Sequence, residues 1–254
     1  MSAAPAGHAC QCGDHTHEYP DWRRLDYPGG DIYMRCESSI ERAFRVRACE
    51  KEPWTAAWLD TLNAGDRLFN IGANVGSYAL IAAYRGADVL AVEAHPVNVA
   101  KLAKNAIANG LGGAITVVLA ACSATMQPWQ AGYGRYDPGS ADLKLTPAVT
   151  AERLTPGIRI PGTTLDELAE VYGQPTHLLI DVDGGEVDVL RGGAEALAGV
   201  RDVMIELSTE GSISKGCTAL LEAAGLTLIE RWDTRGGERI PDVWYGLFRR
   251  GQPP

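Results

Sequence analysis

From residue 66 onward, short continuous runs of apolar residues alternate with stretches in which apolar positions recur every three or four residues. Continuous runs suit strands buried on both faces, and the periodic stretches suit helices lying on a sheet, so the alternation predicts a parallel sheet covered on both sides. The runs place strands near 67–71, 88–93, 115–119, 177–182, 202–207, 226–232 and 243–249. The clearest helix starts at Pro96, which suits a first turn; Val99, Leu102, Ala103, Ala106 and Ile107 form one apolar stripe, and Asn109-Gly110 ends it. Another follows Thr164, with Glu167 three residues on completing a capping box. Between the last two strands stands only the turn Thr234-Arg235-Gly236-Gly237, too short for a crossover helix, so these two pair antiparallel.

The segment before residue 66 reads differently. Residues 1 to about 30 are rich in Gly, Pro, Ala, His and Asp without apolar periodicity, which predicts a tail or lid rather than core. Ser38 or Ser39 can cap a helix through Ile40, Phe44 and Val46, and a second helical stretch runs from about Trp54 to Leu62. The chain thus divides into a tail with a helical cap, 1–62, placed to cover a ligand cleft, and a main domain, 63–254. Within the latter, residues 123–162 are Pro- and Gly-rich and read as an inserted loop near the site, where Trp129, Tyr133 and Tyr136 are candidates to wall a pocket.

Composition narrows the function. With 254 residues, 46% of them apolar and 22% charged, the chain can bury one large α/β core. A formal net charge of -9 argues against nucleic acid as the main partner and for a small molecule. The absence of a long apolar run or a leader-like start predicts a cytoplasmic protein with no membrane partner, and the six scattered cysteines are expected to be reduced. Cys10, Cys12, His15 and His17 could together hold zinc, but Cys-x-Cys followed by His-x-His is not a finger spacing, and such residues also occur idly in tails.

The chemistry concentrates at two strand ends. Strand 67–71 runs into Gly72-Ala73-Asn74-Val75-Gly76 and then a helix, so the backbone can approach a ligand closely while free N–H groups face it. The next strand ends in Glu93, about 20 residues after the turn, where a carboxylate can accept from both hydroxyls of an adenosine ribose. A turn of no special function and a helix-capping Glu are the plain alternatives. At the fourth strand, Asp181-Val182-Asp183-Gly184-Gly185-Glu186 gathers three acids at the end where ligands bind in such sheets, and Glu206 lies at the end of the fifth. Their mutual repulsion can raise a pKa and leave Asp181 as a general base, with Asp183 and Glu186 orienting an acceptor or holding a divalent cation, or Asp183 merely capping the next helix. His177 begins its strand, away from that end, and is expected to be structural.

The glycine turn at 72–76, Glu93-Ala94-His95-Pro96 with Asn98, Thr164-Leu165-Asp166-Glu167-Leu168, and Ile180-Asp181-Val182-Asp183-Gly184-Gly185-Glu186 with Val189-Leu190-Arg191-Gly192 together resemble the FkbM-type methyltransferases over residues 66–210. The resemblance implies a Rossmann-like class I methyltransferase fold, a seven-stranded mostly parallel sheet with an antiparallel C-terminal hairpin strand. It also implies S-adenosylmethionine as cofactor and O-methylation of natural products or sugars. Carried onto its motif positions, it makes Asn70, Gly72, Ala73, Asn74, Gly76, Glu93, Ala94, His95 and Asn98 the cofactor residues, while Asp181, Asp183, Glu186 and Glu206, read from their places at the strand ends, stand as the candidate catalytic acids. Asn70 stands where the family usually has Asp, Ala94 where Pro is common, and Leu179 where a Lys precedes the acid. Two other functions fit parts of the pattern: a nicotinamide-dependent oxidoreductase, disfavoured by Asn74 and the antiparallel ending, and a non-catalytic S-adenosylmethionine-binding protein, prompted by Leu179.

Overall fold

The computed structural model describes residues 21–133, 136–141, 143–148, 158–209, 211–235, 238–239 and 242–251. Cys10, Cys12, His15 and His17 lie outside them. The described chain opens with strands β1 (Asp21–Arg24) and β2 (Tyr33–Cys36), a π-helical turn (Glu41–Arg45), and helices α1 (Ala48–Lys51) and α2 (Pro53–Leu59). The alternating part follows as β3 (Arg67–Ile71), α3 (Ser77–Tyr84), β4 (Asp88–Glu93), α4 (Pro96–Ala108) and β5 (Ile115–Leu119). After β6 (Ala121–Cys122) come β7 (Trp129–Tyr133), β8 (Leu143–Pro147), β9 (Ile158–Ile160) and β10 (Gly162–Thr163). The remainder is α5 (Leu165–Tyr172), β11 (His177–Ile180), α6 (Glu186–Arg191), α7 (Ala194–Gly199), β12 (Asp202–Ser208), α8 (Gly211–Ala223), β13 (Leu226–Trp232), a small hairpin β14 (Thr234–Arg235) and β15 (Glu238–Arg239), and β16 (Val243–Arg250).

Seven strands form the main sheet in the order β13-β16-β12-β11-β3-β4-β5. All neighbours pair parallel from β12 to β5, whereas β16 is antiparallel to both β12 and β13. This is the mostly parallel sheet with the antiparallel ending expected from the missing crossover helix. Each face carries its own core. On one, Leu68, Leu179, Met204 and Leu247 pack with Trp58, Leu59, Leu80 and the N-terminal strands; on the other, Phe69, Ile71, Leu178, Ile180, Val203 and Ile205 pack with α5 to α8. No helix among the described residues is long and apolar enough to cross a membrane.

Several expectations need correction. Residues 21–30 are docked on the domain and do not form a tail: Leu25 and Tyr27 are fully buried, and β1 pairs with β2. Leu25, Tyr27, Ile32, Met34 and Cys36 join the core, and polar contacts that an apolar pattern does not show fix the hairpin on α4. Asn105 Oδ1 accepts from the Arg35 N–H at 3.0 Å, Asn109 Oδ1 from the Tyr33 N–H at 2.8 Å, and Asn109 Nδ2 donates to the Tyr33 carbonyl at 2.7 Å. The same helix leaves Ile107, assigned above to its apolar stripe, 72% exposed.

Ser38 does serve as a cap, its Oγ accepting from the Glu41 N–H at 3.0 Å while the Glu41 carboxylate takes the N–H groups of Glu37 and Ser38, but the helix it opens is the short π-turn, with Phe44 exposed. The capping box at Thr164 is half formed: Thr164 accepts from the Glu167 N–H at 3.1 Å, but the Glu167 carboxylate turns to the Thr163 hydroxyl at 2.7 Å. The segment 123–162 is more than a loop, because β8-β7-β9 make an antiparallel sheet of their own, packed through Ala131 and Ile160. β11 stops at Ile180, two residues early, since the Gly185 N–H bonds the Val182 carbonyl and Gly184 adopts a φ of +91°.

Candidate active site

The carboxyl ends of β3, β4, β5 and β11 meet at a cavity of about 620 Å³, within the range of small-molecule sites. The glycine turn forms one wall. Gly72 has φ +85°, and a Cβ there would lie 1.9 Å from the Asp181 carbonyl oxygen, so the turn and the acid-bearing end of β11 touch through bare backbone. Asn74 also sits in the left-handed region at φ +50°, steadied by its own Oδ1 accepting from the Val75 N–H at 2.9 Å.

Glu93 ends β4 with its carboxylate almost wholly buried. Oε2 accepts from the Asn74 N–H at 2.8 Å and Oε1 from the His95 N–H at 2.7 Å, which ties the turn after β3 to the end of β4. Burial raises its pKa from the usual carboxylate value, and those two N–H groups work in the opposite direction. A third wall is the chain leaving β5, where Ala120, Ala121, Cys122 and Ser123 offer a small-residue surface.

The inserted sheet lines the cavity through Trp129, Leu143, Lys144, Leu145 and Thr146, and the stretch between β7 and β8 is held down from several directions. Asn74 and Asn98 both donate from Nδ2 to the Ser140 carbonyl, at 3.1 and 3.0 Å, and Asn98 Oδ1 accepts from the Gly139 N–H at 2.8 Å. From the N-terminal side, Arg45 donates to the Gly139 carbonyl at 2.9 Å and Ser38 to that of Pro138 at 2.7 Å. Arg45 itself lines the cavity, so the cap does reach the cleft.

Of the positions singled out in the sequence, Gly72, Asn74, Glu93, Ala94, Asp181 and Asp183 line this cavity. Asn70, Ala73, Gly76, His95, Asn98, Glu186 and Glu206 are not among its lining residues. His95 is the N-cap of α4, its Nδ1 accepting from the Val97 N–H at 3.3 Å, and its ring packs 5.1 Å from that of Tyr136. Gly76, at φ +96°, faces Leu102. Asn98 holds the insert, as described above. Trp129 lines the cavity, Tyr136 is half exposed, and the Tyr133 side chain falls outside the described residues. His177 opens the central strand β11 at the end of the sheet away from the cavity, its ring 5.9 Å from Trp58.

Asp181 and Asp183 both line the cavity, from the turn that follows the end of β11. The Asp181 carboxyl is pushed well above the carboxylate range, first by burial and then by Glu206 and Glu52, with Asp183 a lesser contributor. Glu52, at the α1–α2 junction, escaped the sequence reading. Glu186, buried at the start of α6, is pushed up to about 7, again mainly by burial. Among the described residues no group of His, Cys, Asp and Glu is arranged to hold a metal ion. Leu179 is buried against the Met204 and Leu247 cluster.

The family model of the methyltransferase FkbM domain matches residues 70–226. The hexuronic acid methyltransferase AglP of Haloferax volcanii is 28% identical over 190 residues, which span 74% of this chain and 75% of that protein. Among solved structures, Sp1610 of Streptococcus pneumoniae, a candidate tRNA (m1A22) methyltransferase crystallised with S-adenosylmethionine, matches with a TM-score of 0.51 at 14% identity, over 80% of this chain and 75% of that one. A protein of the NADB-Rossmann superfamily from Streptococcus agalactiae matches with a TM-score of 0.49 at 12% identity, over 79% of this chain and 68% of that one. At 14% identity the likeness to Sp1610 is one of fold. The family match covers more than half of the chain and spans the glycine turn, Glu93 and the acids after β11, so this protein belongs to the FkbM family of S-adenosylmethionine-dependent methyltransferases.

Proposed function

We propose that this enzyme methylates a hydroxyl group on a small molecule, a sugar or a glycosylated natural product, with Asp181 as general base. The observation that carries the reading is the placement of Asp181. It lines the same cavity as Glu93 and the glycine turn, and its backbone abuts Gly72. The hexuronic acid methyltransferase among the relatives supports a sugar acceptor.

The residues present fit S-adenosylmethionine. Glu93 would hold the ribose hydroxyls, the N–H groups around Gly72 and Asn74 would face the rest of the nucleoside-linked chain, and the small residues Ala120 to Ser123 leave room for a flat ring. When bound, this cofactor supplies a methyl group on a sulfonium, already activated toward an oxygen nucleophile. What the chain adds is position and a proton acceptor: Asp181 takes the hydroxyl proton, while Asp183 and Asp188, also on the cavity wall, are placed to orient the acceptor. Trp129 and the strand at Leu143 to Thr146 cover one side of the cavity and would limit water there.

Two measurements test this. Labelled S-adenosylmethionine offered with a panel of neutral sugars, uronic acids and glycosides should leave label on a sugar hydroxyl; label appearing only on amines, carboxylates or nucleic acid would overturn the acceptor class. Exchange of Glu93 for Gln should weaken S-adenosylmethionine binding by about 100-fold in calorimetry, since hydrogen bonds to a charged group are lost and each tenfold is about 1.4 kcal/mol. Unchanged affinity would remove Glu93 from the cofactor site.

A further inference from the structure

Among the described residues, the cavity is lined by the cations Arg45 and Lys144 together with the acids Glu93, Asp181, Asp183 and Asp188. Lys144 stands exposed on β8 of the insert. Arg45 is placed differently. It ends the π-helical turn of the N-terminal cap, half-buried, and its main-chain carbonyl accepts from the Ser77 hydroxyl at 2.8 Å. Ser77 opens α3 directly after the glycine turn, so the backbone that carries Arg45 is fastened to the part of the chain assigned to the cofactor.

The Arg45 side chain is held but only partly used. Nε donates to the Gly139 carbonyl at 2.9 Å, and among the described residues no carboxylate lies within ion-pair distance of the guanidinium. Other half-buried guanidiniums of this chain meet acids: Arg35 Nε lies 2.8 Å from Glu37, and Arg249 clasps Asp202 through hydrogen bonds of 2.8 and 2.7 Å. The planar fork of a guanidinium matches a carboxylate in two places at once, and at Arg45 that outer fork is left for whatever enters the cavity.

The glycine turn cannot do the same work. The N–H groups of Gly72 and Ala73 donate to the Val92 carbonyl at 2.9 and 3.0 Å, and that of Gly76 donates to the Ala73 carbonyl at 3.0 Å. The N–H of Asn74 is taken by Glu93 and that of Val75 by the Asn74 side chain. Facing a ligand, these donors can share a hydrogen bond, but each is already committed inside the protein, and an anion beside them needs a partner that is not.

S-adenosylmethionine carries positive charges on its sulfonium and ammonium groups, which suit the acids of the cavity, and a negative charge on the carboxylate of its amino-acid end. We propose that Arg45 binds this carboxylate, so that the N-terminal cap and the methyltransferase domain hold the cofactor between them. The proposal rests on the cofactor site assigned above. The FkbM match begins at residue 70, so it assigns nothing to Arg45. Because Arg45 also holds Gly139 while Asn74 and Asn98 hold Ser140, the bound carboxylate would join cap, glycine turn and insert at one place.

Calorimetry on the full chain with S-adenosylmethionine and with its decarboxylated analogue, which keeps the sulfonium and the amine, tests the assignment as a cycle of ligand and side chain. The parent should bind the analogue about 10–100-fold more weakly, the usual size of a hydrogen-bonded charge pair. In Arg45→Gln, S-adenosylmethionine should weaken by a similar factor, and the two ligands should then bind within about threefold of one another. Arg45→Lys keeps the charge and should restore part of the preference, and it carries the test if the Gln variant does not fold. Equal weakening of both ligands in Arg45→Gln would mean that Arg45 only holds the insert, and unchanged cofactor affinity with a raised KM for the acceptor would move Arg45 to the acceptor; either overturns the proposal. So would a parent that binds both ligands equally well, with the cofactor site left standing, whereas a parent that binds neither would overturn that site as well.

Discussion

Replacing Asp181 with Asn is expected to lower methyl transfer by about 10²–10⁴-fold, the usual contribution of a general base, while S-adenosylmethionine still binds. Asn keeps the size and hydrogen-bonding outline of the side chain but cannot take a proton from the acceptor hydroxyl. The cofactor contacts assigned to Glu93 and to the N–H groups of the glycine turn do not pass through the Asp181 side chain, so affinity should change far less than turnover. Because the folded pKa of Asp181 is raised, its carboxylate form grows as pH increases through that raised value. Activity of the parent enzyme should therefore climb with pH over that range, and the residual activity of the variant should not follow the same curve. Steady-state rates with labelled cofactor across pH, paired with calorimetric binding, measure both halves. Turnover within a few-fold of the parent would show that Asp181 is not the base.

The parts of the molecule legible in the sequence are those whose signal is apolar and local. All seven main strands begin where the apolar runs begin; for the central β3, β4 and β11 this follows from burial on both faces, whereas β5 and β13 at the sheet edges are partly or largely exposed. The antiparallel ending followed from chain length alone. What escaped was built from polar or distant contacts. The hairpin β1–β2 docks on Asn105 and Asn109, which an apolar stripe does not reveal, and the insert is held by Asn74, Asn98, Arg45 and Ser38 through main-chain carbonyls.

Glu52 shows the same limit in the site itself. It is 129 residues from Asp181 in sequence and stands in a short polar stretch between two helices, and only the packing of that junction against β11, β12 and β16 brings it to the acids. The wall formed by Ala120 to Ser123 carried a weaker but usable signal. It leaves the strand next to β4, and in a parallel sheet neighbouring strands deliver their carboxyl ends to the same side.

Gly72 joins fold and function at one atom, and its replacement by Ala should be among the most damaging single changes. An added Cβ would stand 1.9 Å from the Asp181 carbonyl oxygen and 2.8 Å from its carbonyl carbon, both backbone atoms. No rotamer change relieves such a contact, and the φ of +85° adds a conformational cost of its own. Gly65 provides the comparison, with φ +98° and nothing within 4 Å of an added methyl group, so Gly65→Ala should cost only the conformational part, about 1 kcal/mol. For Gly72→Ala the β3 turn and the end of β11 must separate, and a loss of about 4 kcal/mol or more is expected, a fall in Tm of roughly 8–16 °C in a chain of this size. The same separation would move Asp181 away from the glycine turn, so cofactor binding should be lost in whatever fraction remains folded. Thermal unfolding of the two variants side by side tests the idea: equal melting temperatures would mean that the Gly72–Asp181 contact yields freely and does not hold the base against the cofactor site.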